Sequence, residues 1–372
     1  MPGKITVVVL FGGRSSEHSI SCATAGGVLE AIDRSRYEVI PVGITAEGAF
    51  VLEADDPSRF GLGPDAASLP RVHDNGTRIL WPDSTASRML GVRDADGTVR
   101  ELGQIDVVFP ILHGPFGEDG TIQGLFELIG LPYVGSGVLA SALGMDKHYT
   151  KTVLEKAGIA VAPWRTVTAR EWASAPDAVV ADVAALGSTL FVKPARAGSS
   201  VGVSKVSSFE ATDAASASAL SAALEVAFRE DSRVLVEAAV VGREVECGVL
   251  SGRDGAAPRV SVAGEIVMTS REFYDFEAKY LDAPGIDLVC PAVLTDSELA
   301  DMQDTAARAF TAIDGSGLAR VDFFLTPTGL VVNEINTMPG FTPISMFPKC
   351  WIASGVTYPA LIDELIALAL EP

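Results

Sequence analysis

The chain is poor in positive charge, has no paired cysteines and contains no long apolar run. Against 48 aspartates and glutamates stand only 28 lysines and arginines, a net charge of −20 over 372 residues. No basic run or stripe is present to neutralise phosphates, so a nucleic-acid partner is not expected. The four cysteines (Cys22, Cys247, Cys290, Cys350) show no paired spacing. They read as reduced core or surface thiols, and neither a disulfide frame nor a zinc site is indicated. No apolar stretch approaches the roughly 18–20 residues needed to span a bilayer. Lys4 and the apolar Ile5–Phe11 superficially suggest a signal peptide. The run passes at once into Gly-Gly-Arg-Ser-Ser-Glu with no small-residue cleavage site, and is better read as a first buried strand. A cytoplasmic location with no membrane partner is expected.

What is present is an ordinary globular composition, 48% hydrophobic and 20% charged, long enough for two or three domains. Strand and helix signals alternate through the first third: strand 5–11, helix about 20–32, strand 37–44, strand 107–112, helix 121–129. That order predicts a parallel sheet with functional loops at strand ends. Residues 52–104, rich in Gly, Pro, Asp and Ser, read as an insertion or irregular hairpin region. A helix is predicted over 146–157 with Asp146 as N-cap and Gly158 as stop. Beyond it come a strand at 189–193, a helical stretch at 208–230, strands at 234–239, 245–250 and 263–268, and a helix at 296–313. The expected layout is an α/β domain over residues 1–143, a small α+β domain over 144–230 and a larger α+β domain over 231–372.

The most informative segment is Arg320–Asn336. Two apolar runs flank Thr326-Pro-Thr-Gly329, which fits a hairpin closed by a type I turn and a left-handed glycine. With Thr326 opposite Leu330, Asp322 falls opposite Glu334 and Arg320 opposite Asn336, all on one face. Val321, Phe323, Leu325, Val331 and Ile335 then fill the other. Two carboxylates and an amide oxygen suit Mg²⁺ that keeps part of its shell for phosphate and water. A solvated face carrying ordinary charges is the plainer reading.

Other segments are chemically suggestive but ambiguous alone. Lys193-Pro-Ala-Arg-Ala-Gly198-Ser199-Ser200-Val-Gly202 combines a strand-end lysine with small residues that let backbone N–H groups approach phosphate, or is a flexible loop. Lys147, opening a helix, is a second candidate cation. Glu237 and Glu244 lie where they can accept from an amino group or ribose, though two surface glutamates look the same. Phe273–Tyr280, three aromatics among charges, reads as a lid or as an edge strand. Glu17, after Gly12-Gly13, can meet a substrate ammonium or simply favour a helix N-terminus. His113-Gly-Pro-Phe-Gly-Glu118-Asp119-Gly is read as a Gly-rich turn rather than a metal cluster. Asn336-Thr-Met-Pro-Gly340 to Ser345 leaves the hairpin with free N–H groups where an oxyanion hole can form.

In order, these segments resemble the D-alanine–D-alanine ligases of the ATP-grasp superfamily over essentially the whole chain. The resemblance rests on the Gly-Gly-x-Ser-x-Glu-His start, the His-Gly-x-x-Gly-Glu-Asp-Gly loop, the Lys-Pro-x-Arg-x-Gly-Ser-Ser loop, Glu277-Ala-Lys-Tyr280 and the Glu-x-Asn-x-x-Pro-Gly end. It implies a three-domain ATP-grasp fold whose two α+β domains clasp ATP. It further implies that Lys147, Lys193, Ser200 and Lys279 hold the phosphate end of ATP, and that Glu237, Glu244, Ala239 and Val240 hold adenine and ribose. Asp322, Glu334 and Asn336 would bind two Mg²⁺, with Mn²⁺ as an alternative. Glu17 would take the first D-alanine's ammonium, linked through Ser199 to Tyr280. Arg320 and the Gly340 backbone would serve the oxyanion, and Ser345 the second D-alanine's carboxylate. A cytoplasmic homodimer joining two D-alanines for peptidoglycan precursors is implied. The presence of Tyr280 within its lid pattern favours a dipeptide over a D-lactate product, with a D-serine or D-lactate ligase as runner-up. A non-catalytic ATP sensor would predict erosion of a metal ligand or of Arg320, and none is eroded. A dehydrogenase is excluded because Gly12-Gly13-Arg14 is not Gly-x-Gly-x-x-Gly.

Overall fold

The computed structural model describes residues 3–61, 69–268 and 285–371. Strand β1 (Ile5–Gly12) is apolar from Val7 to Phe11, where both of its faces are covered. Val7, Val9 and Phe11 enter one core, Val8 and Leu10 another, and all five are 0% exposed. The two-residue period of a strand makes that division. Helix α1 (His18–Ala31) leads to β2 (Tyr37–Ile44), parallel to β1, and β3 (Phe50–Leu52) pairs antiparallel at the edge.

The stretch read as an insertion or irregular hairpin region contains a small antiparallel sheet, β4 (Arg78–Leu80), β5 (Met89–Arg93) and β6 (Val99–Gln104). Ile79, Leu90 and Val92 join Val8 and Leu10 in their core. Strand β7 (Val107–Ile111) then pairs parallel to the other side of β1. Helix α2 (Thr121–Ile129) adds Phe126 and Ile129 to the same core. It stops at Gly130, whose φ of +67° suits a left-handed cap.

After α3 (Val138–Met145) and α4 (Lys147–Lys156) come β8 (Trp164–Thr168), α5 (Ala169–Ser174), α6 (Pro176–Ala184), β9 (Leu190–Pro194), β10 (Ser204–Val206), α7 (Ala214–Phe228) and β11 (Arg233–Ala238). The strands form an antiparallel sheet in the order β10-β9-β11-β8. Val179, Val183, Leu220 and Leu224 of the helices bury themselves against Val192, Val234 and Val236.

A five-stranded antiparallel sheet follows. It comprises β12 (Arg243–Leu250), β13 (Arg259–Met268), β14 (Ile286–Val289), β15 (Leu318–Thr326) and β16 (Gly329–Asn336), ordered β14-β13-β12-β15-β16. Helix α8 (Asp296–Ala312) opens on a capping box between Thr295 and Glu298 and lays Met302, Ala306 and Phe310 on this sheet. The last helices, α9 (Met346–Ala353) and α10 (Tyr358–Ala369), return to the first sheet. Phe347, Trp351, Leu361 and Leu365 share a core with Val7, Val9 and Phe109. Met338 and Phe341 are buried in that core too, which brings the loop after the hairpin beside the β1–α1 turn. The cysteines are all free, with Cys22, Cys247 and Cys350 buried, as their mixed spacing suggested.

Candidate active site

The β15–β16 hairpin pairs Arg320 with Asn336 and Asp322 with Glu334, the register expected from the sequence. It reaches that register by a different route. Thr326 sits opposite Gly329 rather than Leu330, leaving a two-residue turn of Pro327 and Thr328. The Thr326 hydroxyl accepts from the Thr328 N–H at 3.2 Å and donates to the Gly329 carbonyl at 2.7 Å, which favours the tighter turn. The one-residue difference is absorbed at Asn333, which bulges between the Asp322–Glu334 and Phe323–Val332 pairs. As a correction to the expected face, Val332 and not Val331 is the fully buried residue of β16 beside Val321, Phe323 and Ile335.

The polar face of the hairpin is tightly bonded. Arg320 donates to both Asp322 oxygens, at 2.6 and 2.7 Å, and its Nε lies 3.0 Å from Glu246. Asn336 donates to Asp322 at 3.1 Å. Burial opposes the Arg320 cation, but Asp322 and Glu246 outweigh that cost and hold its pKa well above the ordinary guanidinium value. Asp322, Glu334 and the Asn336 amide are an all-oxygen donor set of the kind a hard divalent cation takes. Among the described residues no cluster of three His, Cys, Asp or Glu offers an alternative metal site.

A cavity of 830 Å³ opens between the four- and five-stranded sheets. Lys147, Lys193, Ser200, Glu237, Ala239, Val240, Glu244, Asp322 and Glu334 all line it. Lys193 Nζ is 2.8 Å from one Glu237 oxygen, and the buried Lys151 approaches the other at 3.3 Å. Lys147 donates to the Ala197 carbonyl at 2.8 Å and lies 3.8 Å from Glu334. The Ala239 N–H is committed to the Thr189 carbonyl at 3.0 Å. The loop after β9 holds Ser199 and Ser200 at φ of +49° and +58°, a left-handed pair that non-glycine residues adopt at some cost.

That conformation brings the Ser199 hydroxyl onto the buried carboxylate of Glu17 across 182 residues of chain. A second cavity, of 620 Å³, begins there and is lined by Glu17, His113, Glu118, Arg320, Gly340 and Ser345. Glycine is required beside Glu17: a Cβ on Gly114, at φ +74°, would lie 2.8 Å from its carboxylate. Ser345 starts α9 and its Oγ lies 2.7 Å from the Thr342 hydroxyl. Burial, and then the charge of Glu17, push the Glu118 carboxyl up to about 8, although the Gly114 N–H opposes this from 2.6 Å.

The structure thus gathers Glu17, Ser199, Arg320, Gly340 and Ser345 at one cavity, and the lysines, glutamates and hairpin carboxylates at the other. Lys279 and Tyr280 lie outside the described residues. The turn reading of the His113–Gly120 loop holds for Asp119, whose carboxylate accepts from the Phe116 and Thr121 N–H groups at 2.9 and 3.0 Å. It undervalued His113 and Glu118, which face the cavity. Glu246 and Lys151 were missed, although each had a signal. Glu246 follows Glu244 by two positions on a strand, and Lys151 follows Lys147 by four on a helix.

Lys147 is aimed by its own N-cap. Asp146 accepts from the His148 and Tyr149 N–H groups and lies 3.0 Å from Arg233. Asp146→Ala is expected to cost about 1–2 kcal/mol from the lost cap alone. Urea unfolding measures it, and a loss below about 0.5 kcal/mol would show that the cap is dispensable.

Comparison with known proteins agrees with this geometry. Residues 6–136 match the family described as D-ala D-ala ligase N-terminus, and residues 153–367 match D-ala D-ala ligase C-terminus. The D-alanine–D-alanine ligase of Paenarthrobacter aurescens is 52% identical over 99% of this chain and 96% of its own length. That of Streptomyces coelicolor is 50% identical over 98% and 93%. Among solved structures, the D-alanine-D-alanine ligase from Coxiella burnetii superposes with a TM-score of 0.78 at 36% identity, covering 99% of this chain and 94% of that one. The VanG D-Ala:D-Ser ligase from Enterococcus faecalis does so with a TM-score of 0.83 at 32% identity, covering 99% and 100%. Matches of this length and identity, on an ATP-grasp architecture, establish that the chain belongs to the D-alanine–D-alanine ligase family.

Proposed function

We propose that this chain joins two D-alanines into D-alanyl-D-alanine at the expense of ATP, supplying a peptidoglycan precursor. One observation carries the reading: the two cavities share Lys147, Ser199, Arg320 and Glu334, so a nucleotide in one ends where an amino acid in the other begins. The 52% identity to a named D-alanine–D-alanine ligase supports it independently.

In this proposal the first D-alanine places its ammonium on Glu17, which Ser199 holds and links to Tyr280. Its carboxylate attacks the γ-phosphorus of ATP, the bond to the β-phosphate oxygen breaks, and ADP leaves an acyl phosphate behind. Lys147 and Lys193, with Lys279 and the Ser200 loop, hold the phosphates, while Glu237, Glu244, Ala239 and Val240 hold adenosine. Two Mg²⁺, or Mn²⁺, on Asp322, Glu334 and Asn336 would offset charge on the phosphoryl oxygens. The second D-alanine docks its carboxylate at Ser345, and its amine, having given one proton to solvent, attacks the acyl carbon and releases a second proton as the peptide nitrogen forms. Arg320 and the Gly340 N–H stabilise the oxyanion until inorganic phosphate departs with the C–O bond electrons. The assembly we propose has three lobes, 1–143, 144–230 and 231–372, working as a cytoplasmic homodimer.

The test is phosphate release from Mg-ATP with D-alanine, L-alanine, D-alanine plus D-serine, or D-alanine plus D-lactate, with products identified by mass. Release with D-alanine and formation of the dipeptide are expected. Preferential mixed product would move the chain to the D-serine or D-lactate ligases. ATP binding without release would favour a sensor.

A further inference from the structure

Lys151 stands apart from the other cations of the site. It is 1% exposed and lies outside the wall of the 830 Å³ cavity, so it cannot touch a nucleotide there. Its Nζ is 3.3 Å from Glu237 Oε1, yet neither atom has a well-aligned hydrogen bond. Its other close neighbour is the Trp164 ring, 5.8 Å from Nζ to centroid. A lysine stem loses rotamer freedom on burial and its ammonium loses water, so such a residue is costly unless its charge is used.

Glu237 supplies the use. Its carboxylate is 5% exposed and lines the cavity, with Lys193 on Oε2 at 2.8 Å and Lys151 on Oε1. Lys193 is 12% exposed and also faces the cavity. When Lys193 turns to phosphate, Lys151 is the counter-charge that remains to the buried Glu237 among the described residues. A buried carboxylate without a cation takes up a proton. It then offers an O–H donor beside its carbonyl acceptor and can meet either an amino group or a carbonyl, so discrimination is lost. In the present structure burial lifts the Glu237 carboxyl, but Lys193 and then Lys151 outweigh it and hold it below the ordinary range.

Resting on the nucleotide reading above, we infer that Lys151 is a positioning residue that selects the nucleobase by keeping Glu237 an acceptor while Lys193 serves phosphate. A base with an amino group at the edge that Glu237 meets is accepted. A base with a carbonyl there confronts a carboxylate and is rejected. The two lysines divide the work, the cavity-facing one for phosphate and the buried one for the carboxylate.

The test compares ATP with ITP, which differ in amino against carbonyl at that edge, as co-substrate for ligation by the full chain. Direct nucleotide binding by calorimetry is measured alongside. The wild type is expected to prefer ATP by about a hundredfold or more in kcat/KM, since a site built around a hydrogen bond rejects the analogue lacking it. Lys151→Met should cut that preference at least tenfold, chiefly through the KM for ATP, and Lys151→Arg should restore part of it. In a Glu237→Gln background, Lys151→Met should change the ratio less than twofold, because its only route of action is gone. A merely structural lysine would lower both nucleotides equally, and an unchanged ATP/ITP ratio in Lys151→Met overturns the inference. If Lys151→Met does not fold, Lys151→Gln takes its place and the ATP/ITP binding ratio decides in the same way. A wild type that prefers ATP in binding but makes no dipeptide would sink the ligase reading, and leave Lys151 to be judged on the binding ratio.

Discussion

Glu334→Gln should lower dipeptide formation by about a thousandfold or more and leave the fold intact. Metal stabilisation of phosphoryl charge contributes several kcal/mol, and each 1.36 kcal/mol is about tenfold in rate. Gln keeps the volume and one oxygen of Glu334 but removes the charge that would bind the cation. The structural loss is small by comparison. Glu334 is 27% exposed and its pairing with Lys147 is long, at 3.8 Å. A partly exposed pair of that kind contributes about 1 kcal/mol or less. Parallel measurement of dipeptide formation and urea unfolding separates the two effects. Near-normal turnover would remove Glu334 from the metal site, and collapse of the fold would make it structural.

Arg320→Met should damage both quantities. Asp322 and Glu246 are 14% and 4% exposed, and both contact Arg320, itself 16% exposed. Removing it takes the shared cation from two carboxylates that face each other on adjacent strands. Breaking a buried pair from one side costs about 3–5 kcal/mol. If Arg320 serves the oxyanion as proposed, its loss costs a further factor of about 10²–10³ in turnover. Arg320→Met/Glu246→Gln distinguishes the two consequences. It should regain part of the stability in denaturant unfolding and none of the ligation. Full stability in the single variant would show that Glu246 and Asp322 are solvated, and recovered ligation in the double variant would exclude Arg320 from the chemistry.

The sequence carried the site better than the scaffold around it, for physical reasons. The alternating polar and apolar residues of Arg320–Asn336 read directly as a two-faced hairpin, and a wrong turn length did no harm because Asn333 absorbed it. Helix α2 was legible at both ends because Gly120 and Gly130 bracket it, each left-handed. The 52–104 sheet was not, because β6 is exposed or half-buried along its length and shows no apolar face. Helices α9 and α10 were legible in principle, because Phe347 and Trp351, and Leu361, Ile362, Leu365 and Ile366, recur at helical spacing and are the residues that bury against the first sheet. For Lys151 the helical spacing from Lys147 was visible but its use was not. A lone lysine on a helix is normally solvated, and only the fold places a carboxylate opposite it. The functional roles came from the family resemblance. The residues alone had left Glu237 and Glu244 indistinguishable from surface acids.

The bulge at Asn333 has a practical side. Its side chain is half-buried and borders the large cavity, while its backbone is skipped by the partner strand. Deleting it would join Val332 to Glu334 in a regular ladder with both faces preserved. Asn333 is therefore the place to attach a reporter. A cysteine-linked fluorophore there would look into the 830 Å³ cavity from a position that no cross-strand pair depends on.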